Sequence, residues 1–179
     1  GPEDWDRVRF FIDSGAGQCL CSCSSSFSEM SPCYVEITGI SGSLQVHGFG
    51  TALFLARDEG DNEVLLRVYN CLFSYGDFNL ISVSQFQQVQ GNVVDFSLDR
   101  PSMTVFSSGV VKRPVRIPLQ LDYGLFALSV EPFQLDDPRY SSLPKCDVTP
   151  RGEFIPSDES TDSKWVQRTL AERKGSTQA

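Results

Sequence analysis

The feature that most limits what this chain can fold into is its succession of short apolar runs, cut apart by Gly, Pro and Asp-rich turns. Arg7–Asp13 alternates and then runs apolar into "FFID". Cys33–Thr38 ("CYVEIT") and Ser43–Val46 ("SLQV") flank "GISG" at Gly39–Gly42, the pattern of a β-hairpin with a short connection. The second arm continues through "HGFGTALFLA". Asp58–Asn62 ("DEGDN") reads as a turn and "EVLLRVYNCLF" as a strand. "NVVDFS", "SMTVFS", "VVKRPVRIPLQL" and "GLFALSVEP" follow as further strands. The fold class expected is all-β.

One segment carries the helical period. Asn79–Gln90 places Leu80, Val83 and Phe86 on one face, with Val89 extending the row. Asn79 is a candidate N-cap and Gly91 a C-cap. After Phe133 the composition turns to Pro, Ser and Asp with little periodicity, which reads as irregular chain. "STDSKWVQRTLAERKG" has the makings of a short helix stopped by Gly175. The expected organisation is a compact domain over 5–97, a β-strand extension over 98–133 and an irregular linker over 134–179.

Several function classes are disfavoured. No apolar run approaches the ~20 residues of a membrane-crossing helix. The net charge is −8 and the basic residues are scattered, so no nucleic-acid partner is expected. Cys19, Cys21 and Cys23 alternate, which on a strand puts three thiols on one face. That is not the Cys-x-x-Cys spacing of a zinc knuckle, so no metal is expected and the six cysteines read as reduced, apolar side chains. The single histidine, His47, has no nucleophile elbow near it, and no phosphate-cradling Gly-Lys-Ser/Thr loop is present. No cofactor is expected.

Phe10, Phe11 and Ile12 lead directly into Asp13-Ser14-Gly15-Ala16. An apolar strand that delivers a carboxylate into a glycine turn resembles the active-site loop of aspartic proteases. The Ser hydroxyl can brace the loop, and Gly permits the tight turn. Two such aspartates share a proton, one acting as acid and the other as base toward water. This chain has one Asp-Ser-Gly; Asp162-Ser163 is followed by Lys164. A two-lobed enzyme with one motif per lobe is thereby excluded, and a symmetric homodimer is the remaining route.

The order of parts over residues 7–131 is similar to that of retropepsins, and most of all to Copia-type retrotransposon proteases. "NLISVSQF" resembles that group's Asn-Leu-Leu-Ser-Val-Ser-Gln-Leu, "HGFGTA" its Gly-x-Gly-Thr, and "DYGLFALSV" the Gly-Leu-Tyr-x-Leu strand beyond it. The resemblance implies a closed β-barrel or sheet with one short helix, Asp13 as the catalytic carboxylate, and Ser14, Gly15 and Ala16 as its loop. It implies that Gly39, Ile40, Ser41 and Gly42 form the flap tip over substrate, whose backbone amides hold an extended peptide. The substrate implied is a Gag-Pol-type polyprotein, including the protease's own flanks. The location implied is the cytoplasm, inside virus-like particles where these form. Gly17 replaces the acidic residue common in retroviral enzymes, Phe78 replaces their Arg, and "SYGDF" replaces their apolar-apolar-Gly element. The alternatives are a catalytically silent dimeric binding module of the same fold, and a monomeric precursor whose segment after Phe133 covers the dimer interface.

Overall fold

The computed structural model describes residues 7–39, 42–77, 79–108 and 112–152, and at 37–39, 42 and 43 it describes the backbone alone. The described elements, in chain order, are β1 (Val8–Asp13), β2 (Leu20–Cys21), β3 (Phe27–Gly39), β4 (Gly42–Arg57), β5 (Glu63–Phe73), β6 (Leu80–Ser82), α1 (Val83–Gln87), β7 (Val93–Asp95), β8 (Ser102–Ser108), β9 (Pro114–Pro118), β10 (Gln120–Asp122), β11 (Leu125–Pro132) and β12 (Lys145–Asp147). Among the described residues the fold is all-β with one short α-helix. Among the described residues, no helix is long and apolar enough to cross a membrane.

The strands join into one sheet in the order β3-β4-β11-β1-β6-β2-β5-β12-β8-β7, and β4 also pairs with β5. The path from β4 through β11, β1, β6, β2 and β5 therefore returns to β4. Two of its joints are thin. β2 meets β6 at the single pair Leu20–Leu80, and β4 meets β11 at two pairs, Leu55–Glu131 and Phe54–Pro132. The result is a sheet rolled onto itself rather than a regular barrel.

Side-chain alternation explains the roll. Phe10 and Ile12 of β1, Ala52, Phe54 and Ala56 of β4, Val64, Leu66 and Val68 of β5, and Leu128 and Val130 of β11 share one core. Burying each such side chain stabilises the fold by about 1.5–3 kcal/mol for the larger ones. The intervening Leu53, Leu55 and Leu65 pack with Phe133 on the opposite face, where Tyr140 and Leu143 cover them. "ALFLA" is continuously apolar because this part of the sheet is buried on both faces.

The hairpin expected around "GISG" is present. β3 and β4 pair from Phe27–Ala52 out to Gly39–Gly42, with bulges on the way. Gly50 is required: a Cβ there would sit 2.0 Å from the Glu29 carbonyl oxygen. Ile40 and Ser41 lie outside the described residues, as does the helix expected near the C-terminus.

Five expectations are corrected. The helix is only Val83–Gln87; Leu80–Ser82 is a buried strand, because these residues find a parallel partner in β1. Ser82, not Asn79, is its N-cap, accepting from the Gln85 N–H. Cys23 does not continue the strand of Cys19 and Cys21 but begins a 3-10 turn at Ser24–Ser26. The described part of "VVKRPVRIPLQL" holds two short strands, β9 and the start of β10, rather than one. The chain after Phe133 also enters the sheet. β12 pairs parallel with β5 and antiparallel with β8, and Cys146 and Val148 are buried in the main core. β11, from the 98–133 stretch, lies between β1 and β4.

Candidate active site

β1 is the strand that delivers Asp13. It is flanked on one side by β11, antiparallel, and on the other by β6, parallel, with Asp13 opposite Ser82. The turn that follows is closed locally. Gly15 N–H donates to Asp13 Oδ1 at 2.9 Å, and Ala16 N–H donates to the Asp13 carbonyl at 3.3 Å. A side chain that accepts from the backbone two residues on is the Asx turn that suits Asp to this position. Asp13 is half-buried, Ser14 exposed and Ala16 buried.

The loop is braced from α1. Ser82 Oγ donates to the Ala16 carbonyl at 2.7 Å, and Ser84 Oγ donates to the same oxygen at 3.1 Å. The Gln85 side-chain oxygen accepts from Cys19 N–H at 2.8 Å, and Ser82 N–H donates to Cys19 Sγ at 3.3 Å. Asn79 ties β1 to the end of β2: its carbonyl accepts from Phe11 N–H at 3.0 Å and its side chain from Ser22 N–H at 2.8 Å. Ser82, Ser84, Gln85 and Asn79 are the site residues that the sequence reading missed. The signal lies in "NLISVSQF", four polar residues interleaved with four apolar ones, which a helical period places on the outer side of a helix.

Beneath the loop the cysteines are sealed. All six are free; Cys19, Cys21 and Cys71 are fully buried. Desolvation pushes the Cys19 and Cys21 thiols up to about 12 and that of Cys71 well above its ordinary value. They are apolar filling, inert as nucleophiles. Among the described residues no group of His, Cys, Asp and Glu has the arrangement of a metal site.

One polar atom stands out. Asp13 Oδ2 is buried and has no hydrogen-bond partner. An unpaired buried acceptor of this kind costs about 1–3 kcal/mol, and more when charged. One carboxylate oxygen is thus fixed by the backbone and the other enclosed by the chain without a partner. Gly39 and Gly42 close the hairpin opposite one another. Lower on the arms, Cys33, Val35, Leu44 and Val46 pack with Phe11, Leu20 and Leu80, so the hairpin rests on the strands that carry Asp13. His47 lies near its base, its ring 4.7 Å from Tyr75 and 6.5 Å from Tyr34. A groove of about 1110 Å3 opens along the flank of β1, past Arg9, Phe11, Ser22 and Asn79, and Asp13 does not line it.

Comparison of the chain with protein-family models, with curated proteins and with solved structures finds no match.

Proposed function

We propose that this chain is a retropepsin-like aspartic endopeptidase, active as a homodimer, of the kind found in Copia-type polyproteins. The observation that carries the reading is Asp13 Oδ2, buried and without a partner at the end of an apolar strand, while Gly15 N–H holds the other oxygen. In the dimer proposed, two chains related by a two-fold axis each supply one carboxylate, and together they hold one water and one proton. The ionised carboxylate takes a proton from the water as it attacks the scissile carbonyl, and the protonated one gives its proton to the carbonyl oxygen. Collapse of the tetrahedral species then hands a proton to the departing amine. No covalent enzyme intermediate and no metal enter this scheme. Ser14, Gly15 and Ala16 hold the loop, and residues 39–42 close over an extended peptide, the substrate being a polyprotein of Gag-Pol type that includes the protease's own flanks. The place of action is the cytoplasm.

The test is cleavage by the wild type and by Asp13→Asn at about pH 5 and pH 7, against a longer precursor and a peptide library. Wild type cuts, and the variant loses on the order of a thousandfold or more in rate. If neither cuts while both sediment as dimers, the chain is a dimeric binding module of this fold and the protease reading fails.

A further inference from the structure

Lys and Arg are absent from two long stretches of the chain. None occurs between Arg9 and Arg57, or between Arg67 and Arg100. These stretches supply the Asp13 loop, the β3–β4 hairpin, β6, α1 and β7. Within them a row of rings crosses from the body to the hairpin. Phe27 meets Phe73 at 5.7 Å, Phe73 meets Tyr75 at 4.9 Å, Tyr75 meets His47 at 4.7 Å and His47 meets Tyr34 at 6.5 Å. Successive rings stand at 65° to 88° to one another, so the row presents ring faces as well as edges. Its outer tyrosines stand in water: Tyr34 is 70% exposed and Tyr75 69%. Strand alternation sets the charge beside them. Cys33, Val35, Leu44 and Val46 share the small apolar cluster, so Tyr34, Glu36, Gln45 and His47 lie on the other face of the hairpin. Glu36 is the cross-strand partner of Gln45, and Asp77 follows Tyr75 by two residues. Glu36 and Asp77 are exposed, and neither has an ion-pair partner among the described residues. Asp77 also borders the groove along β1, but the arginines there are already matched: Arg7 by Glu131, Arg9 by Asp122 and Arg57 by Asp61.

We propose that Tyr34, His47 and Tyr75, flanked by Glu36 and Asp77, form a docking surface for a Lys- and Arg-rich segment of another polypeptide. The inference goes beyond the protease reading and does not depend on it. The occupant follows from the charge. An apolar partner would take Glu36 and Asp77 out of water with no counter-ion, at a cost that covering two rings does not offset. An anionic partner, a nucleic acid included, would be repelled. A guanidinium or ammonium group suits both parts of the surface. It pairs with the carboxylates, and it lies over the phenol faces, where the ring quadrupole attracts a cation. His47 contacts both tyrosines and steadies their rings on the hairpin. The hairpin and the Tyr75 segment hold no Lys or Arg of their own to compete for these groups, so the cation comes from elsewhere.

The experiment is titration of the full chain with a fluorescent peptide of alternating Arg and Gly, read by anisotropy at low salt. The variants are Tyr34→Ala/Tyr75→Ala and Glu36→Gln/Asp77→Asn. The control is Asp136→Asn, an exposed carboxylate outside both stretches. All of these positions are exposed, and circular dichroism and melting temperature report that each variant folds. The expected result is binding by the wild type, binding about tenfold weaker in each double variant, and no change in the control. The tyrosine variant leaves the net charge of −8 untouched, so it separates recognition by the rings from general attraction of a basic peptide to an acidic chain. If that variant binds like wild type, or the control weakens as much as the double variants, net charge alone holds the peptide and the surface is not a site. A wild type that does not bind at about 1 mM peptide overturns the proposal outright. If binding appears only after Lys164, Arg168, Arg173 and Lys174 are changed to Gln, the chain's own cations fill the surface and the separate partner is ruled out.

Discussion

The Asp13 loop and the outer arms of the β3–β4 hairpin are both short excursions from the same sheet, yet they are held in different ways. Over residues 13–19 the loop is tied by two hydroxyls on the Ala16 carbonyl, by Gln85 on Cys19 N–H and by the Asp13 carboxylate itself. Its foundation is the main core. The hairpin leaves β5 at the Gly48–Phe73 pair. Beyond that point it is tied to the body by Ser74 Oγ donating to the Gln45 carbonyl at 2.6 Å, by the His47–Tyr75 ring contact and by a small apolar cluster. The difference is one of cost. Moving the loop breaks four hydrogen bonds at once, whereas moving the arm breaks one side-chain hydrogen bond, a ring contact and the packing of a small cluster. A catalytic carboxylate requires the first arrangement and a closing lid the second.

The largest expected effect tests how well the loop side is sealed. Cys19 and Cys21 have an ordinary thiol value of 9.0 and are pushed to about 12 by burial. The unfolded chain releases these protons above about pH 9 while the folded chain keeps them. Stability that is complete below about pH 9 is therefore lost as pH rises toward 12, at about 1.36 kcal/mol per pH unit for each thiol. Together the two cost about 5 kcal/mol by pH 11. Urea midpoints measured from pH 8 to pH 11 should fall accordingly, and the Cys19→Ala/Cys21→Ala variant should have the flatter profile. An identical pH slope in that variant would mean that water reaches the thiols beneath the loop.

A smaller effect attacks the brace itself. Ser82→Ala removes the cap on Gln85 N–H and one of the two donors to the Ala16 carbonyl. Ser84 keeps the second donor in place, so the loss is about 2 kcal/mol rather than that of a fully orphaned carbonyl. If the chain cleaves as proposed and the loop depends on this brace, cleavage falls as well, while a Ser82→Thr variant, which keeps the hydroxyl, recovers most of it. Full activity in Ser82→Ala would show that the loop is positioned by β1 and β6 alone.

The two regions were also unequally legible in the sequence. Strand β1 and the turn after it could be read from "FFIDSG", because a strand ending in Asp-Ser-Gly states both its period and its break. The Asp58–Asn62 turn was equally plain, and Asp58 Oδ1 does accept from Gly60 N–H and Asn62 N–H at 2.9 and 2.8 Å. The segment Leu80–Ser82 was not. Leu80, Val83 and Phe86 satisfy a helical period, but Leu80, Ile81 and Ser82 are all buried, and a fully buried strand has no alternation to betray it. The parallel pairing with β1 that decides the matter is a long-range contact. β12 escaped for a related reason: three residues, "KCD", in a stretch rich in Pro and Ser carry no period, and their place is set by β5 and β8. Counting motifs yields the two-copy expectation, whereas the bracing hydroxyls become visible only once β6 stands beside Asp13.

The smallest effect sharpens the contrast from the hairpin side. Ser74→Ala deletes the donor to the Gln45 carbonyl, a single part-buried bond worth about 1 kcal/mol. Because that bond lies beyond the last β4–β5 pair, its loss should act on the arm and stop there. Amide exchange at Leu44, Gln45 and Val46 should quicken roughly fivefold, since 1 kcal/mol of local opening is about that factor. Exchange at Ala16 and Cys19 should not move, because their acceptors belong to β1 and α1. Equal quickening in both regions would mean that loop and hairpin open as one cooperative unit, and the separation between a fixed carboxylate and a movable lid would then have no physical basis in this fold.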